Sequence, residues 1–168
     1  MMFSAPLNLS DWVHAASLRD DVVASVHELY SQVQAKIAEK KPRCDLSGRC
    51  CRFEQFGHLL FVTTLELAAF SRDLRERPAG LLPILSPVPS PDGCQYQKGK
   101  LCTVHEIRPM GCQLFFCDPS AAEWQASEYE SFHARLKLLH TDLRVPYAYL
   151  EWRTALRAVN LQPAIAVP

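Results

Sequence analysis

The sequence predicts a mostly α-helical domain, with long flanking helices packed around a small, irregular, cysteine-rich metal-binding subregion that contains a short hairpin. Three observations predict it. All seven cysteines lie between Cys44 and Cys117, and Cys50 and Cys51 are adjacent. Apolar residues at three- and four-residue spacing run on both sides of that block. Prolines crowd its middle. At 168 residues the chain is expected to form a single domain, 1–168, with the cysteine region at 44–117 and helical segments at 10–41 and 121–159. The apolar share of 48% suffices for an ordinary core, so the cysteines are not needed as a substitute for one.

From Ser10 to about Lys41 the spacing predicts one long helix. Val22, Val26, Leu29, Val33 and Ile37 share a face, Ser10 or Asp11 would cap the start, and Lys40 and Lys41 suit the negative end of the dipole before Pro42 stops the helix. His58–Val62 reads as a short buried strand. Thr63 and Glu66 have capping-box spacing, ahead of a helix from Thr64 to about Arg75 with Leu65, Ala68, Ala69 and Leu74 inward. Pro78, Pro83, Pro87, Pro89 and Pro91 predict an extended strap joining the two cysteine blocks.

Cys94 to Cys102 reads as a hairpin turning at Lys98-Gly99-Lys100, with a thiol at each end. Thr103 with Glu106, and Ser120 with Glu123, repeat the capping-box spacing. The first pair would open one or two turns ending near Arg108-Pro109. The second would open a helix to about Arg144, with Trp124, Phe132, Leu136, Leu139 and Leu143 on its apolar face. Pro146 fits the first turn of a last helix reaching about Val159, and 162–168 is expected to fray.

Charge and targeting narrow the function. Eighteen basic residues balance eighteen acidic ones, which gives no support for nucleic acid or an acidic membrane as an obligatory partner. No apolar run reaches the roughly 18 residues of a membrane span. The opening MMFSAPLNLSDW lacks the basic and apolar regions of a secretory signal. A cytoplasmic location is therefore expected, where stable disulfides are rare and clustered thiols bind metal or do chemistry. The odd cysteine count would also leave one thiol outside any closed set of disulfides.

The thiols fall into two blocks, Cys44-x5-Cys50-Cys51 and Cys94-x7-Cys102-x9-Cys112-x4-Cys117, with His105 inside the second. The candidate metal ligands are thus Cys44, Cys50, Cys51, Cys94, Cys102, Cys112, Cys117 and His105. Zinc takes thiolate and neutral imidazole, and iron–sulfur clusters take thiolate. Eight donors are enough for two four-coordinate sites; alternatively, four thiolates hold one [4Fe–4S] cluster. The chain has no C-x-x-C, the compact zinc spacing, and Cys102-x-x-His105 is only a partial replacement. Looser spacing and a greasy shell suit an iron–sulfur cluster, for which Phe53, Phe56, Phe61, Tyr96, Phe115 and Phe116 are candidates. Zn2+ stays open beside it. Arg49, Arg52, Lys98, Lys100 and Arg108 lie close enough in sequence to offset thiolate charge, although each taken singly reads as a solvated surface residue. His58 reads first as an ordinary residue, with orientation of a metal ligand as the alternative, and His14, His27, His133 and His140 are expected to be ordinary helix residues, the last two on a helix surface.

Residues 44–117 resemble the YkgJ-type cysteine-cluster family, described as a zinc- or iron-chelating domain. Its first block is C-x-x-C-x-x-C-C, and here the matching stretch is Cys44-Asp-Leu-Ser47-Gly-Arg-Cys50-Cys51. Its second contains C-x-I-Y-x-x-R-P-x-x-C, and here it is Cys102-Thr-Val-His105-Glu-Ile-Arg108-Pro109-Met-Gly-Cys112, followed by Phe115 and Cys117. Ser47 stands where the family has a cysteine, and His105 where it has a tyrosine. The resemblance implies a metal or metal cluster as partner. A protein partner stays unknown. Nothing resembles a phosphate loop, a G-x-S-x-G elbow or an H-E-x-x-H helix. A binding module, a redox or electron-transfer protein and an unrecognised iron–sulfur enzyme are the three readings.

Overall fold

The computed structural model describes residues 8–78, 93–159 and 161; the prolines from Pro83 to Pro91 and the tail 162–168 lie outside them. Among the described residues the chain is mostly helical, with two small antiparallel strand pairs. No helix among them is long and apolar enough to cross a membrane.

The first segment is two helices, not one: α1 (Leu9–Ser17) and α2 (Asp20–Lys40). Arg19 breaks the run in an extended conformation, because its guanidinium is held by the Leu143 carbonyl at 2.8 Å and by Asp21 at 2.7 Å. Asp20 and Asp21 then restart the helix at its positive dipole end. The apolar spacing counted from Val22 could not reveal a break upstream of it. Asn8, rather than Ser10 or Asp11, caps α1 by accepting from the Ser10 N–H at 3.2 Å. Lys41 ends α2 in the left-handed conformation, just before Pro42. Val22, Val26, Leu29 and Val33 are buried, and Ile37 packs at the edge.

A short helical turn, α3 (Phe53–Phe56), leads to β1 (Phe61–Thr63), three residues later than the expected strand start. Thr63 then caps α4 (Thr64–Arg75) with both halves of the capping box made, and Leu65, Ala68 and Ala69 point inward as expected. Next in the described chain come the hairpin strands β2 (Gln97–Lys98) and β3 (Leu101–Cys102), then a one-turn helix, α5 (Met110–Gln113). The long helix α6 (Ala122–Asp142) buries Phe132 and Leu136 against Leu29 and Val33 of α2.

Three expectations about ends fail for stated reasons. Thr103 does not cap; its hydroxyl donates to the Tyr96 carbonyl at 2.8 Å and so ties the foot of the hairpin. Ser120 does not cap either, because Asp118 accepts both its N–H at 3.0 Å and its hydroxyl at 2.7 Å. Pro146 does not open the last helix. It precedes β4 (Tyr149–Glu151), which pairs with β1 in the register Phe61↔Glu151, and α7 (Trp152–Ala158) follows. His133 and His140 are also not surface residues. Both are buried, His133 on the Tyr147 hydroxyl at 2.9 Å and His140 on the Val145 carbonyl at 3.0 Å, so they fasten 145–149 to α6.

Candidate metal centre

The first cysteine block is shaped by Gly48. Its φ is +72°, and a Cβ there would lie 2.6 Å from the Gln97 side-chain nitrogen and 3.0 Å from the Lys100 Cα. Only glycine permits both the left-handed backbone and so close a hairpin. The Gly48 carbonyl accepts from that Gln97 amide at 2.8 Å, and from the Cys51 N–H at 3.3 Å. Cys50 and Cys51 sit in the 3-10 turn that this second bond closes, Arg49–Cys51. The Cys51 carbonyl in turn accepts the Cys94 N–H at 2.8 Å. In the hairpin Gln97 pairs with Cys102. The two blocks are therefore joined through backbone and amide bonds, and their thiols follow.

Four thiols meet. Cys51 and Cys94 are buried in one core cluster, Cys50 and Cys102 pack against it, and the Cys50 and Cys51 sulfurs are 4.0 Å apart. The neighbouring thiols of Cys102, Cys50 and Cys94 raise the pKa of Cys51. The neighbours move the other way. Cys50 is pulled down to about 6, first by its bond to Cys51. Cys94 is pulled down to about 7 by the same partner, with burial opposing, and Cys102 is lowered likewise. A lowered pKa favours thiolate, the form that binds metal and attacks electrophiles. Cys94 feels Cys50, and Cys102 feels Cys94, as nearby charges. Among the described residues no three His, Cys, Asp or Glu side chains are arranged to close on one metal ion.

The remaining candidates divide. Cys112 adjoins the group and feels the charges of Cys94, Cys102 and Cys50; burial holds its thiol neutral, well above the ordinary value. Cys117 is apart, with the Ser47 hydroxyl 3.9 Å from its sulfur. Cys44 is exposed, on a segment fixed by the Arg43 N–H to Asp118 bond at 3.1 Å. His105 is exposed as well, and its imidazole is lowered by burial first and then by Arg108. Four of the eight candidates are brought together, one stands beside them, and three lie outside.

The surroundings are buried and aromatic. Phe53 and Tyr96 are buried with the thiols and Phe115 packs on them, while Phe56 is exposed, Phe61 stacks on Tyr149 at 5.0 Å and Phe116 faces Trp124. His58 donates to the Cys50 carbonyl at 3.1 Å and stacks on Phe115 at 4.2 Å, so it orients the vicinal pair from behind. Of the cations, Arg108 acts on Cys50, Cys102 and Cys112, while Arg49 lies over the Phe56 ring at 5.2 Å.

Two residues of the site were not legible as such. The Trp152 indole N–H donates to the Cys94 sulfur at 3.4 Å, and its ring packs edge-on to Phe70 at 5.0 Å. In the sequence Trp152 lies in an expected helix far from any thiol, so no local signal marks it. Glu66 completes the capping box with one carboxylate oxygen. With the other it accepts from the Met110 N–H at 2.9 Å, fixing the start of the helix that carries Cys112. The capping pattern predicts the first role and hides the second.

The donor chemistry of the four thiols fits a thiophilic metal, and the aimed indole N–H and nearby guanidinium are the groups that charged sulfur requires. Compared with known proteins, the chain matches no family model, no curated protein and no solved structure.

Proposed function

We propose that this protein binds one thiophilic metal ion, zinc by preference, through Cys50, Cys51, Cys94 and Cys102, with Cys112 as a reserve thiol. The observation that carries the reading is the packing of thiols from both cysteine blocks, Cys51 and Cys94 with Cys50 and Cys102, in one core cluster. Sulfurs around a single zinc, each at about 2.3 Å, stand about 3.8 Å from one another. The Cys50–Cys51 separation of 4.0 Å is close to that spacing. A multi-iron cluster interposes its own atoms between the cysteines and needs them further apart.

In this reading His58 and the Gly48 turn orient the vicinal pair, and the Trp152 N–H offsets charge on Cys94. Phe53, Tyr96 and Leu60 keep water from the buried side. Bound there, zinc supplies a cross-link between the two blocks. An iron–sulfur cluster with a redox or electron-transfer role is the second reading, favoured by the aromatic packing of Phe53, Phe70, Tyr96 and Trp152 against the thiols. For catalysis a substrate pocket is required beside the site. The cleft of about 290 Å³ between Leu60, Gly111, Leu114 and Tyr129 has no cysteine among its described lining residues, so the binding role is preferred.

Elemental analysis of anaerobically purified protein tests the proposal. About one zinc per chain in a colourless sample is expected. Stoichiometric iron and sulfide in a brown sample, bleached by dithionite and restored on oxidation, selects the second reading. A reduced protein that retains and takes up neither metal overturns both.

A further inference from the structure

We propose that Arg108 is the counter-charge of the thiolate group, donating its Nε–H to a sulfur of the metal-loaded protein and offsetting part of the loaded site's negative charge. This rests on the metal reading above. Four thiolates around a divalent ion leave two net negative charges, and charge placed in a buried site requires a partner. Arg108 is that partner by position. It ends the segment that follows Cys102 and directly precedes Pro109 and the helix of Cys112. Its carbonyl accepts from the Gln113 amide at 2.8 Å, and the Gln113 carbonyl oxygen accepts from Gln34 at 2.8 Å, so its backbone is anchored to α2.

The decisive observation is its Nε, which is buried and has no acceptor among the described residues. A buried guanidinium donor left unpaired calls for an explanation, and the missing acceptor is anionic. The groups that feel Arg108 are the thiols of Cys50, Cys102 and Cys112, and the more exposed His105. Arg77 is committed to the Thr103 carbonyl at 3.0 Å, Arg153 to Glu151 and Glu54, and Arg49 lies over the Phe56 ring. Lysine cannot replace the planar, directional donor, although it keeps the charge.

The experiment is a cobalt(II) and zinc titration of the full, reduced chain with a competing chelator, made on wild type, R108Q, R108K and, as a control at an exposed position of α6, K137Q. Wild type is expected to take up one ion with thiolate-to-cobalt charge-transfer absorption. R108Q should lose about 10- to 100-fold in affinity, the usual effect of removing such a partner. R108K should fall between the two, and K137Q should match wild type. Metal-free R108Q should unfold no earlier than metal-free wild type, because the substitution removes an unpaired buried donor. Should R108Q fail to fold, R108K carries the test alone. Wild-type affinity in both Arg108 variants overturns the role of Arg108 and leaves the metal reading intact. Equal destabilisation of both metal-free variants, with the folded fraction binding as wild type, makes Arg108 structural only and also overturns it. Failure of wild type to take up either ion overturns both proposals.

Discussion

Glu66 and Cys51 are both buried groups that carry a proton or a charge, and their surroundings differ in kind. The Glu66 carboxylate accepts from the Thr63 N–H and hydroxyl, the Met110 N–H and the Tyr30 hydroxyl, at 2.9 to 3.2 Å. Every donor comes from the fold itself, so the head of α4 is complete as built. The Cys51 thiol has the Cys50 sulfur at 4.0 Å, and the arginine beside the group keeps a buried donor without an acceptor among the described residues. A buried acid with four neutral donors is structure; thiols gathered beside an unpaired guanidinium donor are what the proposed metal would explain.

The comparison can be broken most sharply at Cys51. Cys51→Ser is expected to abolish metal retention and to remove the stabilisation that bound ion supplies, about 4 kcal/mol at a free metal concentration a thousand times Kd. Thermal unfolding with and without chelator checks it: wild type should fall to the level of the variant on chelation, and the variant should not respond. At the other pole, Glu66→Ala strands four donors and should cost about 3 kcal/mol in denaturant unfolding, with or without metal. The same residue predicts a pH dependence. Burial raises its pKa above the ordinary 4.5, against the bonds from Thr63, Met110 and Tyr30. A raised pKa means the native state holds its proton more tightly. The associated stability is therefore full below about 4.5 and is lost as pH rises through the higher native value. Relative to Glu66→Gln, wild type should lose stability on going up from pH 4.5; a parallel pair of pH profiles would refute the assignment.

Gly48→Ala tests the joint between the two blocks. A left-handed alanine costs about 1–2 kcal/mol, and the clash with Gln97 and Lys100 adds to it. A loss of about 2–3 kcal/mol is expected, together with weaker metal binding, since the turn aims Cys50 and Cys51. Smallest is Trp152→Phe, which keeps the ring and removes the N–H bonded to Cys94. It should cost about 1 kcal/mol and speed metal loss to chelator, a change read by stopped-flow.

Most of the helical frame was legible because packing alone dictates it. The stripe from Val22 to Val33, the capping box at Thr63 and the apolar face of α6 are local patterns, and each is present. What failed was decided by distant partners. Arg19 breaks the first helix for the sake of a carbonyl 124 residues away, and Pro146 precedes a strand because β1 is there to pair with it. In the site, the adjacency of Cys50 and Cys51 and the hairpin ending at Cys102 are visible in the sequence. The separation of Cys44 and Cys117 from the central group is not, since both lie in the same cysteine-rich stretch. Trp152 and the burial of His133 and His140 escape for the same reason: their partners lie on other elements.

The bond from the Cys94 amide to the Cys51 carbonyl, with that from Gln97 to Gly48, has a kinetic consequence. If the thiols take a metal as proposed, these peptide bonds between the two blocks would hold the empty site together where a zinc finger collapses on losing its ion. Uptake and release would then need only side-chain motion. An ion could be handed on by stepwise sulfur exchange, at a rate set by access and not by refolding.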